Sequence, residues 1–211
     1  MLRIGLLESW VIVIPIVYLI NITEIVKSFD SAVYDVISGQ ISPIITYMMK
    51  LFTFLGSELA LTALALLILL AGVLFKRGKY FKRCLFIGLN VGGGALLVLI
   101  LKNIVRRPRP NIMQLVEIGG YSFPSGHSMS SLIFYGFLIY LALRYIRNWT
   151  KYFIALTLAL LILLTGISRI YLGVHYASDV LGGYIIGTMW LFSSIKLFEK
   201  LLINKKSKTW R

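Results

Sequence analysis

The feature that most constrains the fold of this chain is a series of apolar runs, each about as long as a bilayer is thick. A helix needs about 20 mostly apolar residues to cross roughly 30 Å of hydrocarbon. The chain has 211 residues, 58% of them hydrophobic, and six runs approach this length: Ile4–Ile22, Ser57–Phe75, Cys84–Leu101, His127–Leu143, Phe153–Ile170 and Ala177–Phe198. The sequence therefore predicts one all-α integral membrane domain over residues 1–211, a bundle of six transmembrane helices.

The segment Ser28–Leu55, between the first two runs, is too polar to cross a bilayer. Its apolar residues nevertheless recur at helical spacing. We predict two short amphipathic helices, broken near Gly39 and Pro43, that lie in the outer interface. Two roles remain open for this segment, because it could simply cap the bundle or could border a side opening for lipid.

The basic residues indicate how the chain is oriented. The formal net charge is +14, and 15 of the 22 Lys and Arg residues fall at Arg3, Lys76–Arg83, Arg144–Lys151 and Lys196–Arg211. Cytoplasmic loops of membrane proteins collect Lys and Arg, and six spans would bring these four places to one side. We therefore expect both termini in the cytoplasm, an uncleaved first span, and no nucleic-acid partner to explain the charge.

Three polar clusters fall at the opposite ends of the predicted spans. The first, KNIVRRPRP, covers Lys102–Pro110 and has no carboxylate close by in sequence. Positive groups gathered without acids imply an anionic ligand; headgroup binding in the outer leaflet is the alternative. The second cluster, FPSGHS, covers Phe123–Ser128 and reads as a helix start, where free N–H groups favour an anion and Gly126 allows its close approach. By itself this second pattern also fits an ordinary helix start.

The third cluster, SRIYLGVHYASD, covers Ser168–Asp179. His175 and Asp179 are four residues apart, so a helix would place them on one face. A carboxylate that accepts one imidazole N–H leaves the other nitrogen free as a nucleophile or base, and Arg169 adds a planar fork suited to phosphate. A structural polar patch is the alternative, but charge at this depth of a membrane usually marks function. The chain's two histidines and single cysteine complete no usual metal-ligand set, so we expect no metal and no other cofactor.

Taken together, the three clusters resemble the signature of the type 2 phosphatidic acid phosphatase and haloperoxidase superfamily. The matching elements are Lys102-x6-Arg109-Pro110, Pro124-Ser125-Gly126-His127 and Ser168-Arg169-x5-His175-x3-Asp179. The resemblance implies that His175 attacks phosphorus, that Asp179 orients it and that His127 protonates the leaving oxygen. It also implies a phosphate-binding set: Lys102, Arg109, Ser125, Gly126 and Arg169. Arg106 and Arg107 occupy variable positions of the signature, so we assign them no catalytic role, although either could contact a diphosphate or a headgroup.

The function that follows is a membrane phosphatase that acts on lipid phosphates from the outer face through a phosphohistidine. We expect undecaprenyl pyrophosphate as the substrate, with phosphatidylglycerophosphate or phosphatidic acid as the alternative. The superfamily also contains soluble haloperoxidases, and six apolar spans argue against that branch. A lipid-binding or transport protein on the same fold is the remaining rival, but binding alone needs no oriented nucleophile. The sequence leaves the oligomeric state open.

Overall fold

The computed structural model describes residues 23–74, 78–112 and 114–203. Within these ranges the chain is helical, with connecting segments and no β-strand, so the all-α prediction is confirmed. The predicted first span, Ile4–Ile22, lies outside the described residues. The helices are α1 (Glu24–Ser38), α2 (Pro43–Leu55), α3 (Glu58–Leu74), α4 (Gly78–Val105), α5 (Gly126–Tyr145), α6 (Thr150–Tyr171) and α7 (Ala177–Phe198), followed by a π-helical turn (Glu199–Ile203).

Several helices are long and apolar enough to cross a membrane. Four qualify alone: Phe81–Val105, Gly126–Tyr145, Thr150–Tyr171 and Ala177–Leu201. Helix α3 has 17 residues, and at 1.5 Å per residue its length is roughly 25 Å, slightly less than the hydrocarbon thickness. Helices α2 and α3 qualify together as one broken span with a bend of 46°. The described residues therefore contain four candidate spans, or five with this bent pair.

Helix α4 is longer than its predicted span, Cys84–Leu101. It starts at Gly78, inside the basic stretch, and continues to Val105. The prediction ended at Leu101 because the next residue is a charged lysine, which is costly in hydrocarbon. The helix can continue because Lys102 lies in its last turn, where the long side chain reaches beyond the helix and donates to the Tyr121 carbonyl at 2.6 Å.

The segment before α3 forms two helices with a break at residues 39–42, as predicted. On α1, Val33, Tyr34 and Ile37 pack against α6 and α7, and α2 packs against α6. Both helices also expose large apolar side chains, which include Ile25, Phe29 and Val36 of α1 and Ile44, Tyr47 and Leu51 of α2. Exposed apolar surface of this extent suits contact with lipid. That the two helices lie flat in the interface remains a prediction.

Close packing of α7 on the start of α5 brings two of the polar clusters together. A Cβ at Gly182 would lie 2.4 Å from the Phe123 ring, and one at Gly183 would lie 2.9 Å from the Ser125 carbonyl. Only glycine permits such an approach. Similarly, Gly93 and Gly94 of α4 leave room for the side chains of Trp190 and Ile133.

Candidate active site

The three polar clusters meet at one end of the bundle. Lys102 lies in the last turn of α4, His127 in the first turn of α5 and Arg169 in the last turn of α6. His175 lies in the turn between α6 and α7, and Asp179 lies in the first turn of α7. His127 is close enough to Lys102, Arg109, Arg169 and His175 to experience their charges. The structure thus brings the predicted catalytic and phosphate-binding residues to one place, while their roles remain predictions.

The turn between α6 and α7 fixes the position of His175. The Arg169 carbonyl accepts from the N–H groups of Val174, at 3.2 Å, and His175, at 3.3 Å. Gly173 provides the positive φ of 71° that lets the chain reverse after α6. Because both ends of the turn are bonded to helix α6, the imidazole has a defined direction.

The neighbours of the His175 ring define its tautomer. Nδ1 lies 3.4 Å from Asp179 Oδ2, and Nε2 lies 3.3 Å from Arg109 Nη1. A guanidinium can only donate hydrogen bonds, so Nε2 must be the acceptor and Nδ1 must carry the proton. The Nδ1 contact does not have hydrogen-bond geometry, and Nδ1 has no hydrogen-bond partner within the described part of the chain. This arrangement leaves the lone pair of Nε2 on the side of the cations.

Burial keeps the His175 imidazole neutral. The residue is 3% exposed, and removal from water lowers its pKa to about 4, although the neighbouring Asp179 carboxylate opposes this shift. At neutral pH the ring is therefore unprotonated at Nε2. An unprotonated nitrogen is the form that can act as a nucleophile.

The Asp179 carboxylate is fully engaged. Oδ2 faces His175, accepts the Tyr176 backbone N–H at 2.9 Å and accepts a short hydrogen bond from the Ser122 hydroxyl. Oδ1 forms an ion pair with Arg107 Nη1 at 2.6 Å. A carboxylate with 0% exposure of its side chain needs this set of partners to remain ionised in the bundle.

Arg109 is tied to backbone carbonyls around the histidine. Its guanidinium donates to Gly119 and Gly120, at distances of 2.9 to 3.2 Å, and to Val174 at 2.8 Å. These bonds connect the segment after α4 to the turn that carries His175. Burial lowers the pKa of Arg109, and attraction to Asp179 opposes the shift.

Ser125 and Gly126 lie at the start of α5, as predicted. Ser125 is the N-cap: its Oγ accepts from the Ser128 N–H at 3.5 Å and from the Ser128 hydroxyl at 2.8 Å. Within the described part of the chain, its own hydroxyl hydrogen and the N–H groups of Gly126 and His127 remain available to an anion. Gly126 faces a carboxylate that sequence reasoning missed, because Glu58 Oε1 lies 2.8 Å from the position of a Cβ at Gly126.

Arg169 reaches the site from within the bundle. Its residue exposure is 2%, and Nη1 donates to Thr53 Oγ1 at 2.5 Å. Within the described part of the chain, Nε and Nη2 have no hydrogen-bond partner. Buried N–H donors without acceptors are rare and usually face a ligand or water.

The contacts of Arg107 differ most from those that the sequence predicted. The cluster Lys102–Pro110 has no acid nearby in sequence, yet Arg107 forms ion pairs with Asp179 and with Asp30 of α1, at 2.6 and 2.8 Å. It is therefore not one of the cations free to bind an anion. One signal for Asp30 was available: Val33, Tyr34 and Ile37 follow it at helical spacing, which puts a carboxylate on the buried face.

A cavity of about 510 Å³ lies between α1, the chain after Arg107 and the start of α7. His175 and Tyr176 contribute to its wall, whereas Lys102, His127 and Arg169 do not. The cavity thus reaches His175 but not those three residues. Among the described residues, no group of three or more His, Cys, Asp or Glu side chains could hold a metal ion.

Comparisons with known proteins match this geometry to one family. The family model described as the PAP2 superfamily matches residues 60–203. The chain is 35% identical over 191 residues to phosphatidylglycerophosphatase B of Bacillus subtilis, covering 88% of this chain and 91% of the relative. It is 33% identical over 135 residues to an undecaprenyl-diphosphatase of the same organism, covering 62% of this chain and 65% of the relative. The crystal structure of a transmembrane PAP2-type phosphatidylglycerolphosphate phosphatase from Bacillus subtilis superposes with a TM-score of 0.82 and 29% identity, covering 99% of this chain and 100% of that structure.

Proposed function

The chain belongs to the PAP2 superfamily and is a membrane lipid phosphatase, and we propose that it removes the terminal phosphate of phosphatidylglycerophosphate through a phosphohistidine on His175. The observation that carries this mechanism is the pair of contacts on the imidazole, with Asp179 at Nδ1 and the cationic Arg109 beside Nε2. Such a ring is neutral, oriented, and directed toward the place where an anionic phosphate would bind.

Two displacements make up the proposed reaction. In the first, the Nε2 lone pair of His175 forms a bond to phosphorus, the bond from phosphorus to the lipid oxygen breaks, and His127 gives that oxygen a proton. In the second, His127 takes a proton from water as the water oxygen attacks phosphorus. The P–N bond then breaks, releasing phosphate and neutral His175. Lys102, Arg109 and Arg169 stabilise the charge on the phosphate oxygens, and the reaction needs no metal.

The choice of substrate differs from the one that the sequence favoured. Undecaprenyl pyrophosphate was expected, but the relative named a phosphatidylglycerophosphatase matches more of this chain than the one named an undecaprenyl-diphosphatase. The charges near the site support the same choice. Arg107 is neutralised by two carboxylates, and Glu58 adds a negative charge beside Gly126. A diphosphate would place a second negatively charged phosphate one bridging oxygen away. Few cations remain at the site to neutralise that charge.

Replacing Glu58 tests this account of selectivity. In Glu58→Gln, we expect kcat/KM for undecaprenyl diphosphate to rise by about threefold to tenfold relative to that for phosphatidylglycerophosphate, because one repulsive and partly screened charge is gone. Phosphate release from both lipids is measured with purified enzyme in EDTA. Glu24→Gln is the matched control, since Glu24 pairs with Lys27 on the exposed face of α1. If wild-type enzyme prefers the diphosphate, the proposed substrate is wrong; an unchanged ratio in Glu58→Gln contradicts the selectivity argument alone.

We also propose that this site faces the outer side of the membrane and that both termini are cytoplasmic. Support comes from the distribution of charge, with 15 of 22 basic residues at the four places named above. Of these places, residues 78–83 and Arg144–Lys151 lie at the ends of α4, α5 and α6 remote from the catalytic cluster.

Thiol labelling in intact cells tests this orientation. In a Cys84→Ser background, we expect Gly119→Cys to react with a membrane-impermeant reagent and Lys82→Cys to react only after the cells are permeabilised. The two positions suit the purpose because a Cβ at Gly119 would meet no atom within 4 Å, while Lys82 is exposed at the other end of the bundle. The opposite labelling pattern would put the site in the cytoplasm.

A further inference from the structure

A buried ion-pair network connects α1 to the catalytic aspartate. Asp30 is 4% exposed although it lies on an amphipathic helix with an exposed apolar face. It accepts from the Ser178 N–H at 2.8 Å, from the Ser178 hydroxyl at 2.7 Å and from Arg107 Nη2 at 2.8 Å. A carboxylate is buried only where it is paired and hydrogen-bonded, so α1 depends on Arg107 and α7 to accommodate Asp30.

Arg107 bridges two carboxylates with one guanidinium. Nη1 donates to Asp179 Oδ1 at 2.6 Å and to Ser178 Oγ at 2.7 Å, while Nη2 donates to Asp30. The ring of Tyr176 covers the guanidinium, with 4.1 Å between the ring centroid and Cζ. These contacts define both the plane and the position of the guanidinium.

The bridge determines how the Asp179 carboxylate is turned. Its Oδ2 faces Nδ1 of His175, and its Oδ1 meets Arg107. Rotation of the carboxylate would break the charged bond at Oδ1, so that bond keeps Oδ2 toward the histidine. The hydrogen-bond partners of the Arg107 guanidinium among the described residues are Ser178, Asp179 and Asp30, so its link to His175 runs through Asp179.

From these contacts we propose that Arg107 and Asp30 are positioning residues for phosphoryl transfer: Asp30 fixes Arg107, and Arg107 fixes the carboxylate that orients His175. The inference rests on the proposed role of His175 as the nucleophile. It also gives α1 a part in the reaction, because the docking of Val33, Tyr34 and Ile37 on α6 and α7 delivers Asp30 to the network.

The chain offers a matched control for each residue. Arg106 is adjacent to Arg107 but exposed, and its Nε donates to the Asn103 carbonyl, at 3.0 Å. Asp35 lies on α1 and is exposed, with no ion pair among the described residues. Arg107→Met and Asp30→Asn are therefore compared with Arg106→Met and Asp35→Asn. Arg107→Lys tests whether charge without the planar fork is enough.

For Arg107→Met we expect kcat on phosphatidylglycerophosphate to fall by about 10- to 100-fold with KM within about threefold, because a positioning residue acts on the chemical step. The single-turnover rate of phosphohistidine formation should fall by the same factor. Asp30→Asn should lower kcat by about three- to tenfold and Arg107→Lys should recover part of the Arg107→Met loss, while both control variants stay within about twofold. The double variant should resemble Arg107→Met alone, because the two residues act in one chain.

Three other results would contradict either this inference or the proposed mechanism. A rise in KM with unchanged kcat would make Arg107 a substrate ligand and overturn the inference. An unchanged kcat in Arg107→Met or in Asp30→Asn would also overturn the inference, provided that wild-type enzyme forms the phosphohistidine. Absence of phosphohistidine from wild-type enzyme would instead overturn the proposed mechanism. Gel filtration in detergent checks folding, and Asp30→Asn, which keeps the shape of the side chain, decides the matter if Arg107→Met does not fold.

Discussion

Replacing His175 with alanine abolishes turnover: we expect kcat to fall at least ~10³-fold, the size of loss that follows removal of a covalent catalyst. Without the imidazole there is no nucleophile on the protein, and water would have to attack a phosphate that is already surrounded by cations. The fold should tolerate the change, because His175 lies in a turn whose backbone is bonded to the Arg169 carbonyl. A nearly normal Tm for this variant would show that the loss is chemical.

The measurement that separates mechanisms is covalent labelling. Enzyme mixed with a lipid carrying ³²P in its terminal phosphate, then quenched in alkali to preserve a phosphohistidine, should carry label in the wild type and none in His175→Ala. The chain has only two histidines, so His127→Ala completes the assignment. A labelled and active His175→Ala enzyme would move the nucleophile to His127 and contradict the proposed mechanism.

The sequence predicted that these residues would meet at one end of the bundle, because each motif is local and lies at the end of an apolar run. Helix α7 occupies Ala177–Phe198 as predicted, which puts Asp179 in its first turn and His175 just before it. The start of α5 was equally visible, since Ser125 and Gly126 form a local helix-start signal. The order of the spans places all three clusters at the same end of the bundle. Their proximity could therefore be predicted without knowing any side-chain contact.

The contacts that were not predicted join residues that are distant in sequence. Asp30 and Arg107 are 77 positions apart, and their pairing depends on how α1 docks on α7. Nothing in the local pattern around Arg107 distinguishes it from Arg106, and only the fold shows that one is buried and the other exposed. The same holds for Thr53 and Arg169, which are 116 positions apart. Local motifs thus predicted which residues would come together, while the buried partners of those residues could be seen only in the tertiary structure.

We expect Arg169→Met to lower kcat/KM without lowering Tm. The guanidinium is buried, one nitrogen donates to Thr53, and two have no acceptor within the described part of the chain. Each buried donor without an acceptor destabilises the fold by about 1–3 kcal/mol. A phosphate could accept from both of these donors at once. The unpaired donors would then destabilise the free enzyme but be satisfied when the phosphate binds.

We therefore expect kcat/KM for Arg169→Met to fall by about 10²–10³-fold, the effect of removing a donor that stabilises developing charge, while Tm stays the same or rises. Arg169→Lys should recover only part of the activity, because an ammonium cannot form the two parallel bonds of the fork. Thr53→Val is the control for the bond that orients Arg169 and should have a smaller effect. Weaker inhibition of Arg169→Met by vanadate would locate the loss in oxyanion binding. A fall in Tm that parallels the fall in activity would contradict this argument, because Arg169 would then support the fold and not the transition state.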